Sequence, residues 1–406
     1  MAFSYKKITA AALAAVCVAS MTGCADTGYI GTVDGMEIRN GIYLWCVQSA
    51  YSDCYAEITE VKEEAGDTSE VNDVFVQTVD GKPANDWIKE NAVVELRRYV
   101  AINRLFDENG LTFTAEDQAV INADVNKIWD EEDWYAQYIY GTKTMGEYYE
   151  SIGMGMDTIR DVYTTNKKEE KLLEALYTEG GSKAVPAEEL DSYITENYAN
   201  VKYIELPFKD MYGLALPNDD EIAAVVAKAQ DYVDRLNNGE SFIEIQYEVD
   251  LKNAQDEAQV DQEAYFETAT YENPSDEEWD KAVEEARANA TAEKAESVEE
   301  LEVVINKDSS SLDEELTEFV WNLDADGKAY LLETEEAAYV VVRDDITTKE
   351  SWKAESLTVV LDALVGEEFD AYLIEVGSAY DVELNDRLVN DKYSPDTYKA
   401  FKSDFE

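Results

Sequence analysis

The amino-acid sequence predicts an α+β fold in two domains: a mainly helical domain formed by both chain ends, with a small α/β domain inserted between them. Three observations lead there. The chain has 406 residues, and single hydrophobic cores stop growing at roughly 250–300 residues, so at least two cores are expected. Apolar residues recur at helical spacing up to residue 178 and again over 350–376, whereas strand-like alternation is concentrated between residues 201 and 343. Finally, 45% hydrophobic and 11% aromatic residues suffice to build cores despite a formal charge of −57, unlike the composition of a disordered acidic tail.

Taken in order, Tyr29 to Arg39 reads as a strand and turn with Asp34-Gly35 at the bend, followed by a helix carrying Ile42, Trp45, Cys46 and Ser49 on one side. Residues 62–86 are polar, include Gly-Lys-Pro, and read as a loop. From Trp87 to Glu108, the residues Ile88, Ala92, Leu96, Tyr99, Val100 and Leu105 keep helical spacing, and Asn109-Gly110 is the stop signal. Thr114-Ala-Glu-Asp117 has the form of a capping box. Segments 114–140, 143–151 and 155–178 continue as amphipathic helices rich in aromatics: Trp129, Trp134, Tyr135, Tyr138, Tyr140, Tyr148 and Tyr149. Such a stripe belongs either to a core or to a surface that binds other polypeptides.

Gly180-Gly181-Ser182 closes the helical block, and Pro186 opens a short helix ending near Tyr198. Val201-Lys-Tyr-Ile-Glu-Leu206 alternates as a strand, 219–238 is a helix stopped by Asn238-Gly239, and Phe242 to Val249 is a second short helix. Residues 251–300 are acidic and alanine-rich, suited to a solvated helical insertion. Leu301 to Ile305 reads as a strand, 312–322 as a helix, Ala329 to Glu333 with Ala338 to Arg343 as a β-hairpin, 350–376 as a long helix and Asp381 to Leu384 as a last strand or arm. The domains predicted are 34–185, 186–346 with the insertion 251–300, and a segment 347–406 returning to the first.

Residues 1–23 carry Lys6, Lys7, no acid, and an apolar stretch from Ile8 to Ser20, the pattern of a secretory signal and too short for a permanent membrane span. The stretch ends in Met21-Thr22-Gly23-Cys24, which resembles a bacterial lipobox, with Cys24 as the lipid attachment site and 24–33 as a tether. An ordinary signal with a chance cysteine is the alternative. Cys24 bearing more than one acyl chain would hold the protein at the outer face of a cell membrane. Cys46 and Cys54 fall in one predicted helix, where eight residues span ~12 Å, beyond disulfide reach. Two buried or free thiols are expected there.

The chain has no histidine, which excludes a Ser-His-Asp triad, a Cys-His pair, an HExxH zinc site and any imidazole base. Its charge excludes a phosphate-backbone binder, so no nucleic acid partner is expected. Asn322-Leu-Asp324-Ala-Asp326-Gly327, with Glu333 completing the spacing, fits an EF-hand loop in part. Against calcium, the first ligand is Asn and the residues after Glu333 read as turn and strand. Carboxylate pairs such as Asp219-Asp220 and Glu277-Glu278 read as solvated surface, so neither a metal, a cofactor nor a carboxylate catalytic centre is expected.

The order of these elements resembles the extracytoplasmic foldases of the PrsA and SurA type, over nearly the whole chain after residue 23. VDGMEIRNGIYLW resembles the family's opening strand and helix, WIKENAVVELRRYVAINRLFDENGLTFTAED its long helix and following helix start, and YDVELNDRLVNDKYSP its terminal segment. Within the middle of the chain, VKYIELPF, AQDYVDRLNNGESFIEIQYEVD and SLDEELTEFVWNLDADGKAYLLETEEAAYVVVRD resemble the strands and helices of a parvulin-type peptidyl-prolyl isomerase domain. The resemblance implies a helical chaperone domain with a parvulin-like domain inserted into it. It also implies that the family's histidines on the first and last strands are replaced by Tyr203 and Val340, that Leu312, Leu316 and Trp321 fall at the positions of its apolar proline pocket, and that the polar residue after its second short helix falls near Asp250.

Isomerisation has a barrier of ~18–20 kcal/mol, and lowering it requires tighter binding of the twisted amide than of the planar one. Without the family's hydrogen-bonded site, binding is favoured over catalysis. The expected function is a membrane-anchored chaperone or foldase that takes unfolded exported polypeptides as partners, with weak or no isomerase activity. An active isomerase is the alternative, and a solute-binding lipoprotein ranks last because no series of βα units surrounds a crevice.

Overall fold

A computed structural model of the protein describes residues 28–269, 275–295 and 301–398. The expected signal segment and Cys24 lie outside them, as do parts of the 251–300 stretch. No described helix is long and apolar enough to cross a membrane. The fold is α+β, with two compact units: among the described residues, 28–185 and 355–398 form one and 186–354 the other.

The first unit starts with a hairpin, β1 (Tyr29–Val33) and β2 (Met36–Arg39), turning through Asp34 and Gly35, both with positive φ, as a tight two-residue hairpin loop requires. α1 (Asn40–Glu64) follows; a small hairpin, β3 (Thr78–Val79) and β4 (Lys82–Pro83), interrupts the polar loop before α2 (Ala84–Glu108). α3 (Ala115–Asp130) opens with the reciprocal capping box of Thr114 and Asp117. The helix expected to continue to residue 140 ends at Asp130, where four consecutive acids crowd the negative end of the helix dipole. The Asp133 carboxylate then accepts a hydrogen bond from the Ala136 amide at 2.7 Å and starts a separate π-turn, Ala136–Tyr140.

α4 (Met145–Ser151), α5 (Met156–Tyr177), α11 (Glu350–Ser378) and β9 (Val382–Leu384) complete this unit, residues 350–354 of α11 excepted. β9 pairs antiparallel with β1, giving the sheet order β2-β1-β9 and joining the two ends of the chain. Residues 29–33, expected as part of a tether, are instead the central strand of this sheet. Gly31 has φ +155, and a Cβ there would stand 2.1 Å from the Glu383 carbonyl oxygen, so the β1–β9 pairing requires glycine. The core is built on Ile30, Val33, Ile38, Ile42, Tyr43, Leu96 and Val100. Cys46 and Cys54 are both free and buried in α1.

The second unit runs α6 (Ala187–Asn197), β5 (Tyr198–Pro207), α7 (Asp219–Asn237), α8 (Phe242–Ala269), α9 (Asp276–Ala295), β6 (Val303–Asn306), α10 (Glu314–Trp321), β7 (Ala329–Glu333) and β8 (Ala337–Asp344). Its antiparallel sheet has the order β6-β5-β8-β7. Side chains alternate across the two faces. Ile204, Ala338, Val340 and Val342 pack with Tyr232 and Val233 of α7 and with Phe242, Ile245 and Val249 of α8, whereas Val201, Tyr339 and Val341 pack with Leu316 and Val320 of α10.

The second short helix expected at Phe242–Val249 runs on to Ala269, since no Gly or Pro occurs within that span to stop it. α9 folds back antiparallel against it: Gln255 Nε2 donates to Thr291 Oγ1 at 2.9 Å and Arg287 to Gln259 Oε1 at 2.9 Å. In the 322–333 loop, the Asn322 amide donates to the Glu318 carbonyl at the end of α10, and Asp326 accepts from the Lys328 backbone. Glu333 sits at the far end of β7. Among the described residues, no group of three or more acidic, thiol or imidazole side chains could hold a metal ion.

Candidate functional site

Two apolar surfaces were marked by the sequence, one in each unit. In the second unit, Asp313 caps α10 by accepting from the Leu316 amide at 3.0 Å, which sets Leu316 and Val320 into the sheet. Tyr203, Leu312, Leu316 and Trp321 all belong to this cluster: Leu316 is fully buried, and the other three are half-buried around it. Trp321 lies under two cations, with the Arg343 guanidinium 4.9 Å and the Lys307 ammonium 5.9 Å from its ring centroid. Its Nε1 is buried with no hydrogen-bond partner.

The remaining two predicted pocket residues lie elsewhere. Val340 is fully buried on the opposite face of the sheet, under α7 and α8. Tyr203 is paired in register with Val341, so the residues of β8 on its face have odd numbers, and a shift of one residue exchanges the faces. Tyr339, which the sequence did not mark, stands on the face of Tyr203, with ring centroids 6.4 Å apart. Pair parity with Tyr203 was the signal that could have found it. Asp250 lies inside the continuous α8 and forms an ion pair with Lys294 of α9 at 3.1 Å. It is placed there because the short helix it was expected to follow does not end.

Burial, with Glu205 and Asp313 adding to it, pushes the Tyr339 phenol up to about 12. Beside the Arg343 and Lys307 cations, the α10 face leaves the half-buried Tyr203, Leu312 and Trp321 as ring and aliphatic surface.

The first unit carries the second surface. Rings run in unbroken contact from Trp45 in α1 through Tyr149, Tyr148, Tyr140 and Tyr135 to Trp134 and Tyr138. The inner end is fixed: Tyr148 is buried, accepts from Gln48 Nε2 at 3.3 Å, and stacks on Tyr140 with centroids 3.7 Å apart. The outer end stands in water, with Trp134 68% and Tyr138 81% exposed. The π-turn and Gly141, at φ +65, hold it there, and the Thr144 cap restarts the helix. The stripe thus divides between core and surface, which helical spacing could not distinguish, because the helix assumed for it breaks before Trp134.

No protein-family profile matches the chain, and no curated protein does. Among solved structures, it is similar to the foldase protein PrsA from Streptococcus pneumoniae strain Canada MDR_19A, with 16% identity, a TM-score of 0.29, and 78% of this chain and 97% of that one covered. It is also similar to PrsA from Bacillus subtilis, at 11% identity and a TM-score of 0.30, covering 79% and 98%. Likeness at this level does not assign the chain to a family.

Proposed function

We propose that this protein is an extracytoplasmic chaperone, anchored to a membrane through Cys24, that binds unfolded exported polypeptides and has weak or no prolyl isomerase activity. The observation that carries this reading is the aromatic cluster ending in Trp134 and Tyr138. Large apolar side chains held in contiguous contact with water contribute little to folding, and contiguous exposed patches mark interaction sites. The α10 face supports the second half of the reading, since it combines apolar rings with no imidazole and a tyrosine that stays protonated at neutral pH.

The test uses the chain beginning at Cys24. A protease-coupled assay on a Xaa-Pro peptide should give no rate above background, while a substoichiometric to equimolar amount should delay aggregation of a chemically unfolded protein on dilution. Proline turnover that falls in Leu316→Ala would establish the isomerase instead, and failure to delay aggregation would remove the chaperone reading.

A further inference from the structure

Resting on the chaperone reading, we propose that the Trp134–Tyr138 surface selects extended polypeptide segments in which bulky apolar residues are flanked by lysine or arginine. The rings define half of that specificity. Trp134, Tyr135 and Tyr138 are exposed and are backed by the half-buried Tyr140, which stacks on the buried Tyr148, so they present contact area that is already ordered.

The charges beside them define the other half. Asp130, Glu131 and Glu132 directly precede the rings and are exposed. Among the described residues they form no ion pair. Asp133 differs, because its carboxylate is used in capping Ala136. Acids at the C-terminal end of a helix are unfavourable by roughly 0.3–1 kcal/mol each, so the dipole of α3 gives no reason for Asp130 and Glu131. A bound cation would offset them, and lysine or arginine also gains about 0.5–1 kcal/mol over an exposed aromatic face. The same acids act against other occupants: a second copy of a chain with formal charge −57, an anionic lipid surface and a nucleic acid are all repelled.

The experiment measures anisotropy of fluorescein-labelled peptides against the chain from Cys24. Three peptides are compared: phenylalanine with lysine, the same with glutamate for lysine, and lysine with serine for phenylalanine. The phenylalanine–lysine peptide should bind about tenfold more tightly than either of the others. Trp134→Ala with Tyr138→Ala should lower that affinity about tenfold with an unchanged melting temperature, since both side chains are exposed. Glu131→Gln with Glu132→Gln should lower it about threefold and flatten its dependence on salt. Equal affinity for the lysine and glutamate peptides, or unchanged binding by the ring variant, overturns the proposal. The two readings separate in the aggregation assay. A wild-type chain that delays aggregation, with a ring variant that does so equally well, overturns only this assignment; a wild-type chain that fails to delay aggregation removes the chaperone reading itself.

Discussion

Arg98 holds together the charged interior of the helical unit, and replacing it by methionine should expose a pH-dependent defect. Its guanidinium, on α2, pairs with Glu169 of α5 and, at 2.7 Å, with Asp370 of α11; the Arg98 and Glu169 side chains are only 21% and 10% exposed. Removing one partner of a buried pair costs about 3–5 kcal/mol, because the other charge is left without compensation. Burial already raises the Glu169 carboxyl, and the Glu95 carboxyl beside it, above the ordinary range even with Arg98 present. Without Arg98 the Glu169 carboxyl rises further. A carboxyl whose folded pKa lies above its unfolded value gives stability that is present below the unfolded pKa and lost as pH rises through the folded one. The deficit of Arg98→Met should therefore shrink on acidification from pH 7.5 to 5. The ceiling is about 3 kcal/mol, since one proton taken up is worth 1.36 kcal/mol per pH unit. Urea unfolding at both pH values measures it, and Arg98→Met with Glu169→Leu should recover most of the loss at pH 7.5. A deficit below about 1 kcal/mol at pH 7.5, or one of equal size at both pH values, would refute the reasoning.

The second unit should respond to acid in the opposite sense. Hydrogen bonds from Lys228, then Arg235 and Tyr232, hold the Glu248 carboxyl at about 2. Its stabilisation is present above the unfolded pKa and lost as pH falls from about 5 toward 2. Glu248 is substantially exposed, so screening reduces the effect to about 1 kcal/mol; Glu248→Gln should cost that much at pH 7 and nothing near pH 2 by urea unfolding. The two faces of the sheet give the last test. Val340→Ala, in the α7 face, should cost roughly 1–3 kcal/mol and leave the binding of a proline-containing peptide to the folded chain unchanged. Tyr339→Ala, beside Tyr203, should weaken that binding, and the reverse pattern in a calorimetric titration would reject the assignment of faces.

How far the sequence could be read depended on which signals were local. The Asp34-Gly35 turn, the Thr114–Asp117 capping box and the β7–β8 hairpin are encoded within a few residues, and they form where the pattern puts them. Tyr203, Leu312, Leu316 and Trp321 meet because helix and strand periods place them on facing surfaces. Val340 was misplaced because the choice between neighbouring strand residues depends on register with another strand, which alternation within one strand does not specify. Asp250 was misplaced because the resemblance implied a helix end near Val249 that no Gly or Pro between Phe242 and Ala269 supports.

By itself, then, the sequence determined the helix and strand types, the absence of any imidazole and the acidic field, since these follow from composition and short-range spacing. The tertiary structure alone decided which face of the sheet receives Tyr339, which carboxylates are buried beside Arg98, and which aromatics face water. Each of those depends on partners distant in the chain, or on a helix break whose consequence appears only once the rings have packed: Tyr140 and Tyr148 stack inward, and Trp134 and Tyr138 remain outside.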